Sequence, residues 1–382
     1  MKNVVIFAGS ALGSVLAIAQ NIKEESNINS YVVCINSKYA SVFNASKYVT
    51  ESINISGGTD IELFNKFNGW FSQKDFSTKP ILFFTTDTSC LFADKYRVWF
   101  ENHFHLTIPS SPILNTYNFK GVAEKDAEKN GLTVPKTQLI NSVEHVNKIA
   151  NSFNFPVIIK PTSSQTKKSI GFKIEIIKNA ERFKSIVLPI IREDKALLCQ
   201  EYIPGNDKKV HYYIFYRDAR GNVFDTMGIK TLQSPPNGGI MAKGISKYNA
   251  EIAQMSRNFL AKIDYAGIGG IEYKEYNGQY YFIEMSTRPE GFFLIGEKAG
   301  VPVTKIVSKT LSENVEYKVY QQKDRIKYID LLSTLAARRS SKKYFSLFVD
   351  YFDAVFNPKT YINTFKLNDM MPFFTHIKIL LK

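Results

Sequence analysis

Asn277-Gly278 separates two strand-like runs, Gly269-Gly270-Ile271-Glu272-Tyr273 before it and Tyr280-Tyr281-Phe282-Ile283-Glu284 after it. Asn and Gly both accept the positive φ that a tight hairpin turn demands, so the two runs are expected to pair as antiparallel neighbours. One carboxylate on each strand, Glu272 and Glu284, can then be aimed at a shared point. Mg2+ takes hard oxygen ligands and keeps phosphate oxygens in its shell, so this pair, with Ser286 and Arg288 just beyond it, suggests a metal–nucleotide site. On these residues alone, a surface hairpin with solvated acids explains the pattern equally well.

Segments upstream shift that balance. Phe155-Pro156-Val157-Ile158-Ile159-Lys160-Pro161 reads as an apolar strand ending in a lysine, and Leu197-Leu198-Cys199-Gln200-Glu201-Tyr202-Ile203-Pro204-Gly205 as a strand that breaks at Pro-Gly. Their order along the chain, lysine strand, Gln-Glu-Tyr-Ile-Pro-Gly strand, Glu272, then Glu284 and Arg288, resembles the ATP-grasp superfamily. Within it, the carboxylate-amine ligases similar to D-aspartate ligase match best, over residues 1 to about 315. Lys120, ahead of Gly131-Leu132-Thr133-Val134-Pro135-Lys136-Thr137, stands at the spacing of that family's first nucleotide lysine.

The N-terminus imitates a secretory leader, because Lys2 is followed by small and apolar residues up to Ala19. The pattern is read instead as a buried strand, Val4 to Ala8, a turn bracketed by Gly9 and Gly13, and a helix with Leu12, Leu16 and Ala19 on one face. Tyr31 to Ile35 supplies a second strand, which opens a doubly wound α/β domain. Asn36 stands where a dinucleotide-binding domain would have an acid, so NAD is not expected. The pattern predicts an α/β fold class, and the resemblance implies specifically the α+β ATP-grasp fold. A Rossmann-like preATP-grasp domain (1–114) precedes a small ATP-grasp lobe (115–196), a large lobe (197–315) and a mainly helical basic extension (316–382). Asn115 to Phe119 is expected to be a link, and Lys230 to end the run from Val223 to Ile229.

The resemblance assigns roles residue by residue. Lys120 and Lys160 would neutralise ATP phosphates. Gln200 would meet the adenine through its side chain, Glu201 and Ile203 through their backbones, and Asp207 would accept the ribose hydroxyls. Glu272 and Glu284 would hold Mg2+, with Mn2+ as an alternative; Ser286 stands where relatives usually have asparagine, a stronger donor. Arg288 would stabilise the transferring phosphoryl group, and Lys230 would face the acceptor and phosphates; an ordinary ion-pair role is the alternative for either. Gly9, Ser10 and Asp87 would face the acceptor pocket, with a structural turn role explaining them equally well. Thr162 to Ser169 occupies the place of a phosphate-covering flap but lacks its glycines, leaving Lys167 and Lys168 to add charge. His211 and Arg217 are weaker candidates. The implied reaction phosphorylates a carboxylate with ATP and lets an amine displace phosphate from the acyl phosphate, with no protein nucleophile.

Three separated cysteines and five histidines give neither a disulfide framework nor a zinc spacing. A net charge of +14 requires an account. From Lys318 to Lys382 there are twelve Lys/Arg against five Asp/Glu. Arg338-Arg339-Ser340-Ser341-Lys342-Lys343 precedes Phe345, Phe348 and Phe352, which share one helical face. Core packing and an anionic membrane surface both suit such an element. The expected enzyme is cytoplasmic, with peripheral contact at the inner membrane face compatible with the tail. Its substrates would be small-molecule or lipid-linked carboxylates and amines, and a homo-oligomer is compatible with the pattern. A catalytically silent nucleotide-binding scaffold is the alternative. A nucleic-acid-binding protein finds no recognition-helix, zinc or RNA-motif signature, so no specific nucleic acid is expected.

Overall fold

The computed structural model describes residues 3–9, 12–119, 121–162, 170–172, 174–311 and 319–381. Lys120, Ser10 and the flap residues Ser163 to Ser169 lie outside the described residues. The first sheet contains β1 (Asn3–Ala8), β2 (Asn29–Ile35), β3 (Glu51–Ile55), β4 (Ile81–Phe84) and β5 (His105–Leu106), ordered β3-β2-β1-β4-β5 and parallel throughout. Alternation in β1 explains why it is central. Val4, Ile6 and Ala8 pack with Val15 and Ile18 of the helix Leu12–Ser26, whereas Val5 and Phe7 pack with Phe67 and Phe100 on the opposite face. A strand buried on both faces carries no polar residue pointing outward. The strand order reverses between β1 and β4, which opens a crevice at their carboxyl ends.

A second sheet is antiparallel, ordered β6-β9-β7-β8 from β6 (Thr137–Ile140), β7 (Val157–Pro161), β8 (Glu175–Ile177) and β9 (Leu197–Glu201). Helices Val143–Ser152 and Ala180–Arg192 cover one face of it through Val146, Ile149, Phe183 and Val187.

The third sheet has seven strands. They are β10 (Val210–Arg217), β11 (Val223–Ser234), β12 (Ile240–Ser246), β13 (Gly267–Tyr276), β14 (Gln279–Ser286), β15 (Lys327–Ile329) and β16 (Thr360–Ile362), in the order β14-β13-β10-β11-β12-β15-β16. The hairpin forms as the Asn-Gly turn requires, with Asn277 at φ 49° and Gly278 at φ 76°. Tyr213, Phe215, Ile271 and Tyr273 pack beneath the helix Ala250–Lys262. Their neighbours on the opposite face, Tyr212, Ile214 and Tyr328, meet Phe292 and Ile295.

Three local expectations change. Asn115 to Phe119 is not a plain link, because Ser111–Asn118 is a helix, with Pro112 in its first turn where a missing N–H costs nothing. Lys230 does not end a strand: β11 continues to Ser234 through a register shift beside Leu232, so Lys230 projects from mid-sheet. The extension is helical over Leu331–Ser340, Tyr344–Phe356 and Met371–Leu380, yet it also contributes β15 and β16 to the seven-stranded sheet. Three-residue strands carry too little alternation to be read from sequence.

Candidate active site

Register decides where the glutamates point. Glu272 pairs directly with Glu284 across the hairpin and with Tyr212 on β10. Because Tyr273 faces the helix-covered core, Glu272 projects to the other face, where Lys230 Nζ donates to Glu272 Oε1. Both partners are buried, and Lys230 lies 5.7 Å from the ring centroid of Phe292. Burial pushes the Glu272 carboxyl above its ordinary value; Lys230 opposes this, and the negative charges of Glu284 and Glu290 reinforce it. Glu284 and Glu290 thus add negative charge beside the Lys230–Glu272 pair, which favours a cation there. Among the described residues, no group of three or more His, Cys, Asp or Glu side chains is arranged to hold a metal ion by itself. Two carboxylates that leave coordination positions for phosphate oxygens are the usual Mg2+ arrangement, so the donor set fits that ion.

Two cavities meet at this pair. The first lies between the four-stranded and seven-stranded sheets and is walled by Ile158, Ile176, Ile203 and Ile283, with Lys160, Gln200, Gln233, Lys274, Glu272 and Glu284 around it. Lys160 Nζ donates to Gln200 Oε1 at 2.6 Å, and Gln200 Nε2 donates to Thr137 Oγ1 at 3.0 Å. This chain across β7, β9 and β6 holds a buried ammonium in place without a carboxylate in those two bonds. The Glu201 N–H already donates to the Lys136 carbonyl at 2.8 Å, so a contact from Glu201 to a base edge would fall to its carbonyl.

Asp207 occupies a different place from the one expected. It is not among the residues lining this cavity; its carboxylate accepts from the Gln233 N–H at 2.9 Å and the Asn237 N–H at 2.7 Å, tying the turn after β9 to the β11–β12 connection. Sequence reasoning missed Lys274 and Gln233. Lys274 donates to the Gly205 and Asn206 carbonyls at 2.8 and 3.2 Å, and burial lowers its pKa against the pull of Asp207. Gln233 donates to the Gly239 carbonyl at 2.7 Å, while its buried Oε1 has no partner among the described residues. Lys274 follows Glu272 by two positions and Gln233 follows Lys230 by three, within the stretch Lys230 to Pro236 that resembles a basic, proline-containing segment of the same ligases; these were the sequence signals that placed them near.

The second cavity is a cleft of about 640 Å³. Glu272, Glu284, Ser286, Lys230 and Arg288 line it from the large sheet, and Thr86, Asp87 and Gly13 from the switch point of the first sheet. Arg288 bridges the two: its Nε donates to Asp87 Oδ1 at 2.7 Å, and its Nη1 lies 3.8 Å from Glu290. Burial opposes the guanidinium charge, but the Asp87 and Glu290 carboxylates outweigh it and raise the pKa. Gly9 is packed against Thr86, since a Cβ there would stand 2.4 Å from Thr86 Cγ2. The third wall was not foreseen. Asp330, Ser333, Asn363 and His376, all from the extension, complete the cleft. Asn363 Nδ2 donates to Asp330 Oδ2 at 2.8 Å, and Asp330 also caps the helix Leu331–Ser340.

His211 and Arg217 line neither cavity. His211 Nε2 lies 3.2 Å from Glu275, and Arg217 donates to the Tyr265 carbonyl and to Asp264, so both serve the frame.

A lysine-bearing antiparallel sheet closing over a hairpin with paired glutamates, with a doubly wound domain facing the same carboxylates, is the arrangement of an ATP-grasp protein. Residues 120–315 match the carbamoyl-phosphate synthase L chain ATP-binding domain, and the chain belongs to that family, within the ATP-grasp superfamily. It is 27% identical over 190 residues to D-aspartate ligase of Enterococcus faecium, covering 46% of this chain and 44% of that protein. It is 24% identical over 184 residues to D-alanine–D-alanine ligase of Pelagibacter ubique, covering 44% and 57%. The chain thus spans about half the length of the curated relatives it matches. In fold it resembles the biotin carboxylase domain of Hydrogenobacter thermophilus 2-oxoglutarate carboxylase, solved with MgADP and bicarbonate (TM-score 0.63, 17% identity, 83% of this chain and 71% of that one). N5-carboxyaminoimidazole synthetase from Staphylococcus aureus, solved with ADP, is equally similar (TM-score 0.63, 13% identity, 84% and 81%).

Proposed function

We propose that the protein is an ATP-dependent carboxylate-amine ligase. One observation carries this reading: the two cavities share Glu272 and Glu284, so a nucleotide in the first and a carboxylate in the second would meet at the same pair of acids. The unpartnered Gln233 Oε1 suits a donor such as a nucleobase amine, and Ile158, Ile176, Ile203 and Ile283 suit the faces of its ring. Lys160 binds phosphate oxygens and Gln200 orients it. Glu272 and Glu284, with Ser286 beside them, would hold Mg2+, which would supply charge neutralisation of the phosphates. Arg288, positioned by Asp87, stabilises the oxyanions of the reacting groups. Lys230 holds Glu272 in place and faces the acceptor.

In the reaction, the substrate carboxylate takes the γ-phosphoryl group and releases ADP. The amine then attacks the acyl carbon, the carbon–oxygen bond to phosphate breaks, and the amine proton is released. Positioning and electrostatics do this work, as phosphoryl transfer requires. The acceptor cleft, walled by the extension as well as by the switch point, accommodates an acceptor larger than a single small amino acid. Cytoplasmic location belongs to the same reading. The test is ADP release across a panel of amino acids and uronic-acid sugars offered as carboxylates, each with a panel of amines. Release requiring both partners supports the ligase. Tight Mg·ATP binding without ADP formation across the whole panel assigns the chain instead to a silent nucleotide-binding scaffold, which Ser286 at the metal position favours.

A further inference from the structure

The helix Tyr344–Phe356 leaves its aromatic side uncovered. Phe345 is 80% exposed, Phe348 66%, Phe352 55% and Phe356 67%, and Val355 lies among them. These positions recur at helical spacing, so they form one stripe along a helix of thirteen residues. Contiguous exposed apolar side chains of this kind mark an interaction surface, unlike singly scattered ones.

Both acids of the helix are turned away from that stripe. Asp350 is buried, where Lys243 donates to it and Arg338 Nε reaches its Oδ2 at 2.7 Å. Asp353 accepts from Lys327 Nζ at 2.7 Å and from Thr360 Oγ1 at 3.0 Å. No acidic side chain of the helix therefore interrupts the exposed stripe. Arg338 is thereby engaged in the fold, but Arg339, Lys342 and Lys343 at the amino end of the stripe are exposed. The surface pairs aromatic rings with cations that face no acidic partner among the described residues.

We propose that this stripe docks the protein on an anionic lipid bilayer, with the rings at the headgroup boundary and Arg339, Lys342 and Lys343 on lipid phosphates. A second copy of the chain is the competing occupant. A two-fold contact through the stripe offers these cations no acid of the mate's helix, since its Asp350 and Asp353 are already engaged in the fold, whereas an anionic surface pairs with them. No helix among the described residues is long and apolar enough to cross a membrane, so the contact is interfacial. The inference is independent of the ligase assignment, because binding is read without turnover.

The experiment is co-sedimentation of the full chain with vesicles of 7:3 phosphatidylcholine and phosphatidylserine at low salt. The wild type pellets with these vesicles and not with phosphatidylcholine alone. Arg339→Gln/Lys342→Gln/Lys343→Gln weakens binding on the order of 100-fold, at roughly fivefold per charge. Phe345→Ser/Phe348→Ser weakens it further, and both variants keep the wild-type melting temperature because the altered side chains are exposed. Equal pelleting with neutral vesicles, or unchanged binding by the charge variant, overturns the proposal. Vesicle-free dimerisation abolished by the Phe→Ser pair, with no vesicle binding by the wild type, overturns it in favour of a second copy.

Discussion

Replacing either hairpin glutamate by glutamine should stop ADP formation, but the two variants should part company in stability. On the proposed metal assignment each removes one ligand charge from the point where the cavities meet, and losing such preorganised electrostatics costs on the order of 10²–10³ in rate. In Glu272→Gln, Lys230 keeps its charge at a site where its side chain is only 3% exposed, now facing a neutral amide. Breaking a buried pair from one side costs about 3 kcal/mol, which lowers the melting temperature by roughly 6–12 °C for a unit of 150–250 residues. Glu284 is half-buried and faces Glu272 directly across the hairpin. Its neutralisation leaves the Lys230–Glu272 pair intact and falls at a more solvated site, so Glu284→Gln should lower the melting temperature by less than Glu272→Gln does. Differential scanning fluorimetry without nucleotide, followed by ADP release at limiting Mg2+, reads both effects. Near-normal turnover in either variant would refute the metal assignment, and a Glu272→Gln protein that melts with the wild type would refute the account of Lys230.

Other consequences concern single positions. Ser286→Asn offers a stronger oxygen donor and should lower the Mg2+ concentration for half-maximal ADP release by roughly threefold or more; an unchanged requirement would place residue 286 outside the metal shell. Asp330→Asn retains the helix cap while removing a charge from the extension's wall, so the KM of the acceptor should rise at least about tenfold with the KM of ATP unchanged. A shift confined to ATP would show that this wall does not meet the acceptor. For His211, burial lowers the pKa below its ordinary 6.5, with Glu275 opposing. The unfolded chain then binds the extra proton, so the stability contributed by the neutral ring is complete above pH 6.5 and declines as pH falls below it toward the folded value. His211→Gln should flatten the melting temperature against pH in that window, and an unaltered slope would assign the acid sensitivity to other groups.

Much of the site was legible because its signals are local. Asn277-Gly278 sets the hairpin register within a dozen residues, and that register alone makes Glu272 and Glu284 direct neighbours. The apolar runs of β1, β7 and β9 likewise declare buried strands, and the order of the motifs points to the ATP-grasp arrangement. What the sequence could not supply is whatever depends on chain segments far apart. Lys230 reads as a strand end because Thr231 and Gln233 blur the alternation of β11, yet it stands in mid-sheet against Glu272. Asp87 and Arg288 are 201 residues apart, and only the packing of the first sheet on the large one pairs them. The same holds for Asp207, whose carboxylate is drawn to the backbone of residues 233 and 237. The aromatic side of Tyr344–Phe356 was visible as a stripe, but whether it faced core or solvent was decided by Asp350, which folds inward to Lys243 and Arg338 and fixes which side the helix presents. Sequence determined the elements whose pairing partners lie close along the chain; tertiary structure decided which charges those elements bury together, because a buried ion finds its partner by proximity in space.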